Sequence, residues 1–367
     1  MQMGRVFFIL CLMNQLDPDF DASEVIREVD AALKSVLLNY AKLLPPSLIT
    51  LGKIALGAPG KVMYWSALVD RGEDAPLPRW PLMVILSYQA SLAAEERAGW
   101  RAAMPAVVAV EIAVAAADLI DEAADDDPSP IIEQYGVGQA LNTANLMLVM
   151  AQQVLLWEAR AGNSQALDAL GALQEMLVEA AVGQHLDMAY ETMAPQEVSP
   201  DMSGEMTEKK AGALIGGSLK MGALMAGADG EVVGLLEQIG RHLGSIAQIS
   251  NDLQDVLPRD AVVLDDTGRE IEVNSNPKTD LRRRKRTLPI VYALREEAAE
   301  PNALQVAFSK PPDEHEDEDA LRQVVVDAGG TRFAYLVTEL YQNNLAEALD
   351  ALEAIRPGAR QVLAALL

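Results

Sequence analysis

Apolar residues recur every three or four positions along most of this chain, which is the period of an amphipathic helix. From residue 81 onward the pattern predicts helices over 82–94, 103–124, 136–161, 164–193, 204–226, 230–256, 280–297, 318–328 and 331–354. An earlier helix is predicted over 21–44 and is stopped by Pro45-Pro46. Residues 46–80 are broken by Gly57, Pro59, Gly60, Gly72, Pro76 and Pro78, and read as a short helix inside an irregular connection. Two segments read as loops. In 257–279, Ala261–Leu264 and Glu270–Val273 flank Asp-Asp-Thr-Gly, the pattern of a small β-hairpin. Residues 309–319 form an acidic surface loop. The punctuation between helices is short, as in a bundle. The expectation is one all-α domain over 1–367, with a divergent N-terminal part (1–80), a motif-bearing core (81–300) and C-terminal helices (301–367).

Composition narrows the chemistry. Half of the 367 residues are apolar and only 5% aromatic, which favours helices and a large core. The net charge of −25 argues against nucleic-acid binding and against attraction to anionic membranes. An anionic substrate therefore needs a local basic patch or bound cations. Cys11 is the only cysteine, so no internal disulfide forms, and a reducing cytoplasmic setting fits. The apolar run Val6–Met13 is too short to span a bilayer and lacks a clean cleavage site behind it. No transmembrane segment is expected.

Two acidic clusters stand out. The first helix of small apolar residues ends in Asp118-Leu-Ile-Asp121-Glu122-Ala-Ala-Asp125-Asp126-Asp127. The spacing predicts that Asp118, Asp121, Glu122 and Asp125 share one helical stripe. Their mutual repulsion, and their place at a helix C-terminus, call for an offsetting cation. Oxygen donors without His or Cys suit Mg²⁺. On these residues alone, a solvated acidic helix end is an equal reading. The second cluster is Gln248-Ile-Ser-Asn251-Asp252-Leu-Gln-Asp255, again with its polar groups on one face. After a loop comes Lys278-Thr-Asp280-Leu-Arg282-Arg-Arg-Lys285-Arg286-Thr-Leu-Pro289, the densest basic run in the chain. Beside metal-binding carboxylates, such a run suits capture of a diphosphate. His185, His242 and His315 show no metal-ligand spacing.

Two acidic helical motifs followed by a basic run resemble the trans-type isoprenoid (polyprenyl) diphosphate synthases and their relatives with the class I terpene-synthase fold. The resemblance covers roughly residues 80–300. Asp121-Glu122-x-x-Asp125 matches the first Asp-rich motif, and Gln248 with Asn251-Asp252-x-x-Asp255 matches the second. Gln184-x-x-Asp187, Lys209-Lys210 and Asp280…Lys285-x-Thr287-x-Pro289 match further segments, and Glu111 and the stretch from Tyr135 to Asn142 also fit. The resemblance implies an isoprenoid synthase helical bundle with a central cavity and a dimeric assembly. It implies about three Mg²⁺ ions held by Asp121, Glu122, Asp125, Asn251, Asp252 and Asp255. It gives Lys210, Gln248, Lys285 and Arg286 to the substrate diphosphate, and Asp121, Asp252, Lys210 and Lys285 to catalysis. Ala116, Ala117, Gln184 and Asp187 are expected on the cavity, where small residues leave room for a long prenyl chain. For Ala116 and Ala117, plain helix packing is an equal reading. Met147, Met150, Met221 and Met225 read as core filler, and Trp80 as a packing residue.

The chain departs from that family where a second diphosphate binds. The aligned loop reads Asp74-Ala-Pro-Leu-Pro-Arg79-Trp80-Pro81, without the family's lysine and with Trp80 for its arginine. No arginine follows the first motif until Arg160. A second diphosphate without basic partners is costly to bind. The departures favour a terpene synthase that ionises one prenyl diphosphate and cyclises or quenches it. The alternative is a prenyltransferase, either a polyprenyl diphosphate synthase or an enzyme with a neutral acceptor such as a peptide.

Overall fold

A computed structural model describes residues 21–73, 78–97, 99–125, 127, 129–257, 263–264, 270–271, 280–295, 301–311 and 317–367. The apolar stretch 6–13 with Cys11, residues 74–77, Asp126, Lys278 and His315 lie outside them.

The regular structure among the described residues is helical, apart from one two-residue ladder. The N-terminal group is α1 (Ala22–Tyr40), α2 (Pro46–Leu56) and α3 (Val62–Asp70). Asp21 caps α1 by accepting from the amides of Ser23 and Glu24, and Pro46 starts α2 where its missing N–H costs nothing. The broken segment 46–80 thus holds two helices rather than one. Next come α4 (Arg79–Ser91), α5 (Met104–Ala124), α6 (Pro130–Tyr135), α7 (Val137–Arg160) and α8 (Gln165–Thr192). The expected helix 204–226 is three pieces: α9 (Pro200–Thr207), a π-helical turn (Glu208–Gly212) and α10 (Ala213–Met225). Then follow α11 (Gly230–Val256), α12 (Leu288–Leu294), α13 (Ala303–Phe308), α14 (Glu318–Asp327), α15 (Gly330–Ile355) and α16 (Ala359–Leu363).

Within the expected hairpin the described residues form two antiparallel pairs, Val263 with Ile271 and Leu264 with Glu270; the rest of 257–279, apart from Leu257, lies outside the described residues. The expected helix 280–297 is also corrected. Residues 280–284 form a turn in which Arg284 takes a positive φ of 62°, and helix begins only at Leu288, with Pro289 in its first turn.

α5 is the buried centre of the bundle. Ala106, Val107, Ala109, Val110, Ala113 and Ala116 are fully enclosed by α7, α4 and α8. The segment 101–124, which contains α5, is long and apolar enough to cross a membrane, but 72% of its most apolar 18-residue window is buried inside the protein, as in the core helix of a globular fold. Met147, Met150, Met221 and Met225 pack in this core, and Trp80 lies against it. Tyr40 meets Trp157 at 5.6 Å between ring centroids and ties α1 to α7.

Close backbone approach sets the other crossings. A Cβ on Gly183 of α8 would lie 2.3 Å from the amide nitrogen of Lys210, so only glycine lets α8 meet the π turn. Gly244 plays the same part for α11, where a Cβ would fall 2.5 Å from the carbonyl oxygen of Ala211. The π turn is thereby wedged between α8 and α11 with Lys210 in it.

Candidate active site

The end of α5, the last turns of α8, the π turn and the turn 280–287 meet at one charged cluster. Lys210 Nζ lies 2.7 Å from Asp187 Oδ2 and 3.0 Å from Asp121 Oδ1. Lys285 Nζ lies 2.7 Å from Asp125 Oδ2 and 3.8 Å from Asp187 Oδ2. Arg283 Nη2 donates to Asp125 Oδ1 at 2.8 Å. Three carboxylates from two helices are thus cross-linked by three cations from two other segments. The site combines hard oxygen donors with charge-assisted donors aimed at the same place, the pairing that a metal-bound polyphosphate needs.

The electrostatics follow from this packing. Burial works against the charge on Lys210, but Asp187 and Asp121 outweigh it and raise its pKa. Burial likewise opposes charge on Lys285, and Asp187, Asp280 and Asp125 reverse that strongly. Burial opposes ionisation of Asp125, yet Lys285 and Arg283 hold its carboxyl below the usual range. Both lysines are therefore firmly cationic at neutral pH, and Asp125 is anionic.

The expected single stripe of four carboxylates is divided in two. Asp121 and Asp125 face the lysines. Asp118 and Glu122, also four apart, line a different cavity of about 350 Å³ with Lys53, Lys61 and Ser129. There the ammonium of the buried Lys61 pairs with Asp118. Burial pushes the Glu122 carboxyl up, against a hydrogen bond from Ser129. Beneath them Glu111 is buried and accepts from the amide of Val62 at 2.8 Å, which pins the start of α3 to α5.

The second motif occupies the end of α11. Gln248 Nε2 donates to Asp252 Oδ1 at 2.8 Å, Asp252 is buried, and Asn251 is exposed. Asp255, expected among the metal ligands, is turned elsewhere: Oδ2 accepts from the amide of Leu281 at 3.3 Å. Among the described residues no three carboxylates converge into a ready-made metal centre. The donor set nevertheless fits a hard divalent cation, because Asp121, Asp125 and Asp252 offer carboxylate oxygens and Asn251 a carbonyl oxygen; Glu122, expected among the ligands, faces the other cavity.

Two further assignments are corrected. Arg286, expected on the diphosphate, is buried away from the cluster. It donates to the carbonyl of Met193 at 3.1 Å and stacks on Phe308 at 4.9 Å, and burial lowers its pKa to about 10. Ala116 is core rather than cavity wall, while Ala117 is half-buried. Gln184 is half-buried on α8, one turn from Asp187, and His185 beside it is exposed. Arg283, which sequence reasoning passed over, also joins the cluster through Asp125. It sits inside the basic run, but only the non-helical turn selects it over Arg282, Arg284 and Arg286.

The sequence pattern that defines the family described as Polyprenyl synthetase matches residues 81–326. The chain is 32% identical over 197 residues to a (2E,6E)-farnesyl diphosphate synthase of Mycobacterium tuberculosis, a match that covers 52% of this chain and 51% of that protein. The chain thus spans about half the length of that curated relative. A polyprenyl synthetase from Streptomyces coelicolor superposes with a TM-score of 0.72 at 26% identity, over 94% of this chain and 98% of its own. A polyprenyl synthase from Caulobacter crescentus, solved as a complex with calcium and isoprenyl diphosphate, shares the fold. Its TM-score is 0.68 at 19% identity, over 96% of this chain and 97% of its own.

Proposed function

The chain belongs to the polyprenyl synthetase family, and on that premise we propose that it is a Mg²⁺-dependent prenyltransferase that ionises an allylic prenyl diphosphate and passes the prenyl group to an acceptor. The observation that carries this reading is the cluster of Asp121, Asp125 and Asp187 with Lys210, Lys285 and Arg283. Its likeness to a farnesyl diphosphate synthase supports a transferase over the cyclase that the loop departures favour. The calcium and isoprenyl diphosphate held by a protein of the same fold support the ligand class.

In this reading Asp121 and Asp125 at the end of α5 and Asn251 and Asp252 on α11 would hold Mg²⁺, while Glu122, an expected ligand, faces the other cavity. Bound Mg²⁺ supplies Lewis-acid stabilisation of the charge that develops on the leaving diphosphate. The protein's own cations act on the same charge. Lys210 and Lys285 donate to diphosphate oxygens as the bond from C1 of the prenyl chain to oxygen breaks. Lys285 and, after it, Arg283 keep Asp125 ionised, and Arg283 holds its Oδ1 in place. Gln248 orients Asp252 through its hydrogen bond. The prenyl chain then extends into the apolar interior, where water is excluded from the allylic cation.

A second reading has its own support. No lysine or arginine occurs between Asp125 and Arg160, and the cavity beside Glu122 sets two carboxylates against two lysines. Such a lining favours a neutral acceptor over a second diphosphate, which leaves room for the terpene-synthase outcome. The test is product analysis with geranyl, farnesyl and geranylgeranyl diphosphates and Mg²⁺, with and without isopentenyl diphosphate. Lengthened diphosphates support chain elongation. Hydrocarbons or alcohols formed without isopentenyl diphosphate support the second reading. The proposal extends to a homodimer in a cytoplasmic setting; the exposed apolar residues Val149 and Trp157 on α7 and Val178 and Val182 on α8 support the assembly.

A further inference from the structure

Two parts of the site are far apart along the chain. The second acidic motif ends with α11 at Val256, and the turn that delivers Arg283 and Lys285 begins at Asp280. Residues 257–279 separate the two in sequence, so neighbourhood along the chain does not by itself place the turn against α11. Something other than chain connectivity must fix the turn against α11, because charge-assisted contacts lose their effect when misplaced by an ångström.

That fixing is done by residues outside both motifs. Arg322 of α14 is 3% exposed. Its Nε donates to the backbone carbonyl of Asp255 at 2.7 Å, one of the carbonyls that the end of α11 leaves without an intrahelical partner. Its Nη2 lies 4.0 Å from Asp255 Oδ1 and donates to Glu318 Oε2 at 3.2 Å. Its Nη1 donates to Asp319 Oδ1 at 2.8 Å. Glu318 in turn receives Arg282, through Nε at 2.9 Å and Nη2 at 2.6 Å. The other oxygen of Asp255 accepts from the amide of Leu281. Asp255, Leu281, Arg282, Glu318 and Arg322 thus close a ring through three chain segments. Within the turn, the amide of Lys285 reaches back to the carbonyl of Asp280 at 2.9 Å, so a fixed Leu281 carries Lys285 with it.

We propose that Arg322, with Glu318, is a positioning residue of the prenyl-transfer site: it locks the basic turn to the end of the second acidic motif, and so sets where Arg283 and Lys285 meet the substrate diphosphate. The guanidinium is needed because it serves a carbonyl and two carboxylates at once in a fixed fork, which an ammonium does not. In this account Asp255 serves the ring and leaves cation binding to Asn251 and Asp252. A buried arginine amid carboxylates is costly to keep unless it holds a specific arrangement, and here the arrangement is the turn.

The inference rests on the prenyl-transfer reading, and the experiment separates the two. Wild type, Arg322→Lys, Arg282→Gln and the exposed control Arg360→Gln are compared in full-length protein. Three readouts are taken: kcat and KM for the allylic diphosphate with Mg²⁺, the rise in melting temperature given by Mg²⁺ with inorganic diphosphate, and amide hydrogen exchange over 281–287. For R322K the expected result is a kcat lower by about 10- to 100-fold with a smaller change in KM, loss of most of the ligand-induced rise, and faster exchange over 281–287 with the rest of the bundle unchanged. R282Q, whose side chain is half-exposed, moves the same readouts less and carries the test if R322K does not fold. A folded R322K, or in its absence R282Q, with wild-type exchange over 281–287 and a wild-type ligand response overturns the inference. Inactive wild type with no ligand response overturns the prenyl-transfer reading itself.

Discussion

The two faces of the last turns of α5 carry the same residue types and do different things. On one face Asp121 and Asp125 meet Lys210, Lys285 and Arg283, which come from segments far along the chain. On the other, Asp118 pairs with Lys61, and Glu122, raised by burial, takes a hydrogen bond from Ser129. The first face gathers cations that remain available to an arriving diphosphate. The second spends its lysine on an internal pair. The contrast teaches that the count of carboxylates in an acidic motif says little about ligand binding. What decides is whether the cations opposite are paired once or shared among several partners that a substrate can replace.

Asp121→Ala removes a carboxylate from the shared face and is expected to lower diphosphate release from an allylic substrate by about 1,000-fold or more, the scale of losing a main electrostatic element. Measured kcat/KM with Mg²⁺ checks it, and near-normal turnover would break the assignment of that face. Lys285→Met is expected to cost about 100-fold through kcat, because its ammonium acts on charge that grows in the transition state. An effect confined to KM would recast Lys285 as a binding group only.

Lys61→Met tests the other face. Its partner Asp118 is 54% exposed and resolvates, so diphosphate release is expected to stay within about 3-fold and stability to fall by no more than about 1 kcal/mol. A loss as large as that of Lys285→Met would erase the distinction between the faces. The smallest effect concerns Glu111, whose pKa burial raises. A carboxyl with a raised folded-state pKa costs stability as pH climbs from its unfolded value of about 4.3 toward the folded one, and the cost stays constant above that. Glu111→Gln keeps an oxygen acceptor for Val62 and removes that cost. Its melting temperature relative to wild type is therefore expected to be more favourable at pH 8 than at pH 4, by about 2 °C.

Much of this site was legible in the sequence because its parts obey local rules. The i,i+4 pairs of both motifs follow from spacing and residue type, the basic run around Lys285 stands out by its charge, and Asp187 and Lys210 were legible only through the resemblance to the family. The assignments that failed depend on backbone geometry with no local signature. The π turn around Lys210 interrupts a pattern that reads as one helix. Arg284 takes a left-handed conformation, so the basic run is a turn that sends Arg283 inward and buries Arg286 under Phe308. Lys61 and Arg322 are distant in sequence from the motifs they serve, and only tertiary packing brings them there. The prediction of one helical face for Asp118, Asp121, Glu122 and Asp125 had the right period. It missed that α5 is wide enough for two different neighbours.

The central claim is that the shared face ionises an allylic prenyl diphosphate. The direct measurement is release of inorganic diphosphate from farnesyl diphosphate by the purified full-length protein, with Mg²⁺ or with excess EDTA, and with isopentenyl diphosphate present or absent. The account predicts Mg²⁺-dependent release that EDTA abolishes, whatever acceptor completes the reaction. Absence of release with farnesyl, geranyl and geranylgeranyl diphosphates under all these conditions, or release that EDTA leaves unchanged, would contradict it.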